Sequence, residues 1–220
     1  MLKSYSSQKQ DLYAYYLLPS PSTFLDLGCW DPTHCNNTYL LENQFGWNGL
    51  LFDTNQGAIN RCNAVRASRA FCVDTQTADF IKTLEKNWNS KHFDYISLDV
   101  DDASLPTLTR LLEAGYSFSC MTFEHDYYRL GNELKIPSIK ILESYGYVRL
   151  FDNVITYPTH DPQQLKQYPD GQIFEDWWIN PTAPLRYKTP TILSIQDNNI
   201  HYDNCIEKIK NPLKQHIAPK

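Results

Sequence analysis

Five short apolar runs, each closing on or beside a carboxylate, constrain what this 220-residue chain can fold into. They lie at 23–27 with Asp26, 50–53 with Asp53, 70–74 with Asp74, 93–99 with Asp99, and 118–123 followed by Glu124. Between them, residues 37–45, 57–67, 77–88 and 105–114 carry apolar side chains at helical spacing, such as Phe80, Ile81 and Leu84, or Leu108, Leu111 and Leu112. Nearly continuous apolar strands alternating with helices predict an α/β fold: a Rossmann-like, doubly wound, mostly parallel sheet covered on both faces. A helix over 10–18 precedes the first strand, and one over 135–145 leads into a sixth strand at 146–151.

After Tyr157 the texture changes, with Pro158, Pro162, Pro169, Pro181, Pro184 and Pro190 breaking the chain into turns. The apolar piece at 173–179 is predicted to be a terminal strand antiparallel to the sixth, with 158–172 as a lid and 180–220 as an extended tail. The chain reads as one domain over 1–220: lead-in and helix at 1–22, ligand-binding core at 23–157, and lid, last strand and tail at 158–220.

In open α/β sheets, ligands bind beyond the carboxyl ends of the strands, first of all at the turn after the first strand. That turn is Asp26-Leu27-Gly28-Cys29-Trp30-Asp31. Gly28 permits a bend and close backbone approach, and the helix beginning near Asn36, Asn37 and Thr38 offers free N–H groups. Cys29 and Trp30 stand where a dinucleotide fingerprint has further glycines, and Asp26 and Asp31 would repel a pyrophosphate. Carboxylates attract an ammonium group, so the turn suits a ligand with a cationic amino-acid end and an adenosine end, S-adenosylmethionine. Asp53 is placed to accept hydrogen bonds from two ribose hydroxyls, and Asp74 to read the adenine amino group.

With 20 Lys and Arg against 25 Asp and Glu, the chain carries a formal charge of −5, no footprint for nucleic acid. Its six cysteines show no C-x-x-C spacing, and Cys72 and Cys120 fall in predicted strands, where a reduced thiol acts as a small hydrophobe. The opening residues 1–10 are polar and no apolar run reaches membrane length, so the expectation is a reduced, cytoplasmic protein without a membrane span.

Five segments stand in order along the chain: Asp26-Leu27-Gly28, Asn37-Thr38-Tyr39-Leu40-Leu41-Glu42, Gly46-Trp47-Asn48-Gly49, Asp53-Thr54-Asn55, and Ser97-Leu98-Asp99-Val100-Asp101-Asp102. Together, over roughly residues 6–150, they resemble the FkbM-type S-adenosylmethionine-dependent methyltransferases. Gln10-Asp11 is similar to the pair that precedes the family's first strand. Asn36, Thr54 and Asp102 depart from the family's Ser, Pro and Gly. The resemblance implies a cofactor site of Gln10, Asp26, Gly28, Trp30, Asn37, Thr38, Asp53, Asp74 and Asp99. It also implies an acceptor bearing a sugar hydroxyl, on a glycan or nucleotide-sugar, and a chain that is a domain of, or partner to, glycosyltransferases.

The reacting centre is expected over the fourth and fifth strand ends, where an acceptor oxygen must be aligned and deprotonated. One version uses His125 as general base, with Asp99 and Asp101 as the other catalytic groups. A second uses Mg²⁺ or Mn²⁺ held by Asp99 with Glu124, His125 or Asp126. Trp30, Tyr127, Tyr128, Trp177 and Trp178 are candidate stacking walls for sugar or adenine, with one of the two adjacent tryptophans turned into the core. His34 and His160 read as loop residues, and Lys208, Lys210 and Lys214 as a solvated face. Two other readings remain open: a nucleotide-dependent enzyme of another class, and a non-catalytic binding module on the same fold.

Overall fold

The parallel half of the sheet forms where the sequence is most apolar. The computed structural model describes residues 2–157 and 162–212, so His160, Lys214 and part of the expected lid lie outside the described residues. After α1 (Gln10–Leu17), β1 (Thr23–Leu27), β2 (Asn48–Asp53) and β3 (Arg69–Cys72) are joined through α2 (Tyr39–Phe45) and α3 (Gln56–Val65). The chain then runs through α4 (Ala78–Asn87), β4 (His92–Leu98), a 3₁₀ turn at Asp101–Ala103, α5 (Ser104–Glu113) and β5 (Ser117–Glu124). A short α6 (Tyr127–Leu130) and α7 (Asn132–Ser144) lead to β6 (Val148–Thr156), α8 (Pro162–Gln167) and β7 (Gln172–Ile179). The chain continues with α9 (Thr189–Leu193), β8 (Asp197–His201) and α10 (Tyr202–Lys210).

These strands make one eight-stranded sheet in the order β3-β2-β1-β4-β5-β7-β6-β8. β7 runs antiparallel to both β5 and β6, and the remaining pairs are parallel. The expected antiparallel pairing of residues 173–179 with the sixth strand is therefore present, and the same strand also closes onto β5. Being interior, β7 is covered on both faces, and successive strand residues point to opposite faces. Trp177 packs in the layer with Tyr13, Leu17, Phe24 and Ile206, and Trp178 in the layer with Leu27, Phe52, Leu108 and Leu142. Both rings are fully buried, which removes Trp177 and Trp178 from the acceptor wall.

The expected extended tail is instead α9, β8 and α10. Pro190 sits in the first turn of α9, where its missing N–H costs nothing. β8, Asp-Asn-Asn-Ile-His, has no strand-forming composition and is held by parallel pairing of Phe151, Asp152, Val154 and Ile155 with Asp197, Asn198, Ile200 and His201. α10 turns Cys205, Ile206 and Ile209 into the core. Cys72 also differs from expectation: it ends a strand at the sheet's edge, and its exposed thiol faces the Thr54 carbonyl at 3.3 Å. Among the described residues no helix is long and apolar enough to cross a membrane.

Candidate active site

The strand order reverses beside β1, which has β2 on one side and β4 on the other, and the crevice above this point is the usual ligand site of such sheets. Its floor is set by backbone contact. Gly28 (φ +92°) donates from its N–H to the Phe52 carbonyl at 2.9 Å, and Asp99 donates to the Leu27 carbonyl at 3.0 Å. A Cβ on Gly28 would fall 1.7 Å from the Asp99 carbonyl oxygen, and one on Gly49 would fall 2.1 Å from that of Phe24. Gly28→Ala is expected to cost about 2 kcal/mol or more, since strain at positive φ adds to a clash with backbone. Thermal unfolding reads this directly; an unchanged melting temperature would show that the turn relaxes freely.

A cleft of about 650 Å³ opens above that floor, lined among others by Gly28, Trp30, Asp53, Asp74, Asp99 and Asp101. Asp53 is oriented from both sides: Trp30 N–H donates to Oδ2 at 2.9 Å and Asn55 N–H to Oδ1 at 2.8 Å. Each oxygen can accept a further hydrogen bond, the acceptor pair that the two O–H donors of a vicinal diol require. Asp74 is exposed at the far wall, its Oδ1 accepting from Gln76 N–H at 2.9 Å. Trp30, at φ +36° and 62% exposed, stands at the mouth.

The other expected cofactor residues serve the turn from beneath. Asp26 is buried and accepts from Thr38 Oγ1 at 2.6 Å, and burial pushes its carboxyl up against that bond and the nearby Arg66 charge. Asn36 Oδ1 accepts from the N–H groups of Thr38 and Tyr39, capping α2. Asn37 donates to Ser97 Oγ at 2.8 Å. Buried Arg66 ties the group together, donating to Glu42 at 2.8 Å, Asn36 at 3.0 Å and Thr38 at 3.0 Å. Gln10 is buried beside Gln8, and Asp11 accepts from Ser4 Oγ and Tyr5 N–H, fixing the strap that brings Ser7 to the cleft. Asp26, Asn37, Thr38 and Gln10 thus hold the site's frame and do not line it.

On the acceptor side the carboxyls of Asp99 and Glu124 hydrogen-bond to each other. Burial pushes Asp99 up to about 6, with Asp101 and Asp126 adding to the rise, and burial with the Asp99 charge pushes Glu124 up as well. Two adjoining carboxyls in such a place share one proton. Glu175, paired with Glu124 across β7, is buried, accepts from Trp177 Nε1 at 2.6 Å, and is likewise raised by burial. Asp126 is gripped by Arg129 at 2.9 Å, and the same guanidinium reaches Asp102 at 3.1 Å and Asp101 at 3.7 Å. With Asp99 and Glu124 turned to each other and Asp126 held by Arg129, no three His, Cys, Asp or Glu side chains converge as metal ligands among the described residues.

His125 does not reach the cleft. Its ring is fully buried against β7, with Nδ1 accepting from Tyr127 N–H at 3.2 Å and Nε2 lying 3.3 Å from Asp176 Oδ1. A base must reach the proton it removes, and this ring is committed to the interior, so His125 is corrected from general base to structural anchor of α6. Tyr127 is 37% exposed with Lys135 over its ring, and it is not among the residues lining the cleft.

This sheet, with its single antiparallel strand between β5 and β6, is shared with solved methyltransferases. An O-methyltransferase from Bacillus cereus in complex with SAH gives a TM-score of 0.52 at 10% identity, over 80% of this chain and 82% of that one. A Klebsiella pneumoniae protein assigned as an O-methyltransferase gives 0.53 at 11% identity, over 81% of each chain. A Clostridium thermocellum protein assigned as an rRNA methylase gives 0.51 at 12% identity, over 81% of this chain and 97% of that one. The fold is that of the class I methyltransferases. At these identities the likeness is one of fold. No family model and no curated protein matches the sequence.

On this class I frame, the structure brings Gly28, Trp30, Asp53, Asp74, Asp99 and Asp101 to one cleft. No motif in the sequence marks Ser7, Cys35 or Gln76, which also line it. Sequence reasoning also missed Arg129, whose role depends on three acids from two loops, and Glu175, which meets Glu124 only through antiparallel pairing.

Proposed function

We propose that this chain is an S-adenosylmethionine-dependent O-methyltransferase acting on a sugar hydroxyl of a glycan. The observation that carries the reading is Asp53: a carboxylate at the end of β2, oriented by two backbone N–H groups, in a cleft at the strand-order reversal. Its two oxygens suit the ribose diol, Asp74 and Gln76 suit the adenine edge, and the acids Asp99 and Asp101 suit the cationic methionine end. The FkbM-type motifs and the class I fold support the same cofactor and, through the family, a sugar acceptor. When bound, the cofactor supplies a methyl group already activated by its sulfonium charge.

The chain's own part is to place the acceptor and take its proton. Asp99, in the cleft and bonded to Glu124, is the group within reach, and a carboxyl raised to about 6 is a better base than an ordinary one. The acids Asp101, Asp102, Glu124 and Asp126 surround it, with Arg129 already engaged by three of them. That field repels phosphate, which favours a glycan over a nucleotide-sugar and disfavours RNA. The metal-assisted version lacks a free ligand set, because the carboxyls it needs hold each other or Arg129.

Calorimetric titration with S-adenosylhomocysteine tests the reading. Micromolar binding is expected, with no heat from NAD, and Asp53→Ala should weaken it about 10–100-fold through lost charge-assisted hydrogen bonds. No binding of S-adenosylhomocysteine would end the methyltransferase reading and leave the fold alone.

A further inference from the structure

A second concavity, about 710 Å³, runs along β8 between this edge strand and the outward face of α10. Its wall carries Asn198, Asn199, Asn204 and Asn211, with Tyr157 and His201 at one end. Carboxamides both donate and accept, as a hydroxyl does. The wall's charges are internally settled: Asp197 pairs with Lys208 at 2.9 Å, and Glu207 with Lys210 at 2.8 Å. Burial lowers His201, which leaves its ring neutral at pH 7. That ring stacks on Tyr157 at 5.2 Å with planes 24° apart, and Tyr157 stays 42% exposed, an aromatic platform at the end of an amide-lined trough. Amides without net charge, ending in a flat apolar ring, suit a neutral polyol with a C–H face, and offer little to an anion or a lipid.

The trough's position matters as much as its lining. β6 and β8 run parallel to β4 and β5, since β7 reverses direction twice between them. The Tyr157–His201 end therefore lies at the same edge of the sheet as Asp99 and Glu124. Four strand spacings separate β4 from β8, roughly 19 Å. We propose that the β8–α10 trough, with Tyr157 as its stacking platform, is a remote subsite for the same neutral glycan chain whose hydroxyl is presented over Asp99. The inference rests on the glycan reading above. It requires an acceptor of several sugar units, bound at one end and methylated some distance along.

The test uses the full chain, labelled with ¹⁵N, and neutral gluco-, xylo-, manno- and chito-oligosaccharides of several units as probes. Shifts are expected at the amides of Asn198, Asn199 and Asn204 with at least one of these sugars. Tyr157→Ala and Asn204→Ala should each weaken that binding about tenfold, while S-adenosylhomocysteine affinity stays unchanged. Absence of shifts with every probe at millimolar concentration overturns the subsite, as does binding that both variants retain. Edge-to-edge pairing of two copies through β8, seen as a dimer that sugars do not dissociate, also overturns it. The two readings fail separately: S-adenosylhomocysteine binding without sugar binding removes only the trough, and sugar binding without S-adenosylhomocysteine binding removes the methyltransferase.

Discussion

Asp99→Asn is expected to reduce turnover by roughly 10²–10⁴-fold, the usual worth of a positioned general base. Its carboxyl is raised to about 6, chiefly by burial, with the Glu124 hydrogen bond opposing and the Asp101 and Asp126 charges adding. Turnover of the native chain should therefore climb as the pH rises through about 6, and the variant should lose that limb. Stability moves the other way. Between 3.8 and about 6 the folded chain holds a proton that the unfolded chain releases, so this group's contribution declines as pH rises across that window. The measurement is the initial rate of S-adenosylhomocysteine release with a glycan acceptor on both sides of pH 6, beside thermal unfolding at the same pH values. If S-adenosylhomocysteine affinity falls as much as rate, Asp99 belongs to the cofactor and not to the proton.

His125→Ala and Asp176→Ala should each destabilise the chain by about 3–5 kcal/mol, because the first opens a cavity and takes one partner from Asp176, and the second leaves the buried His125 ring and the Asn153 N–H without their acceptor. For a chain of this size that lowers Tm by roughly 6–20 °C. The pair lies in a buried network. Asp176 also accepts from Asn153 N–H at 2.8 Å and faces Arg149 at 3.9 Å, while Arg149 and Lys135 reach Asp152 at 2.9 and 3.6 Å. Burial alone would raise Asp176, but the His125 hydrogen bond, the Lys135 charge and the Asn153 N–H pull it below 3.8. Its stabilisation is thus complete above 3.8 and lost as the pH falls through the lower, folded value. The double variant should cost clearly less than the two single losses added together, since both remove one interaction. A His125→Ala chain that keeps its Tm and loses all turnover would restore His125 as the base.

The sequence by itself determined the repeating frame. Apolar runs such as 23–27 and 93–99 have nowhere to go but an interior sheet, and the acids that close them necessarily gather at one edge. Asp53, Asp74 and Asp99 could be placed in a cleft on that argument alone, because a strand end is a local property of the chain. Only the tertiary structure decided which side chains face that cleft. Asp26 and Thr38 belong to the same motif as Gly28, yet they point beneath the turn to Arg66, a residue from the far end of α3. His125 follows Glu124 by one position, which in this extended backbone sends it to the Asp176 side of the sheet. Trp177 and Trp178 split between the two layers because β7 is interior, and its place between β5 and β6 is set by pairing across long loops. The same holds for β8, whose Asp-Asn-Asn-Ile-His sequence has no strand character until β6 offers it an edge. Periodicity reports what must be buried; partners distant in sequence decide against what.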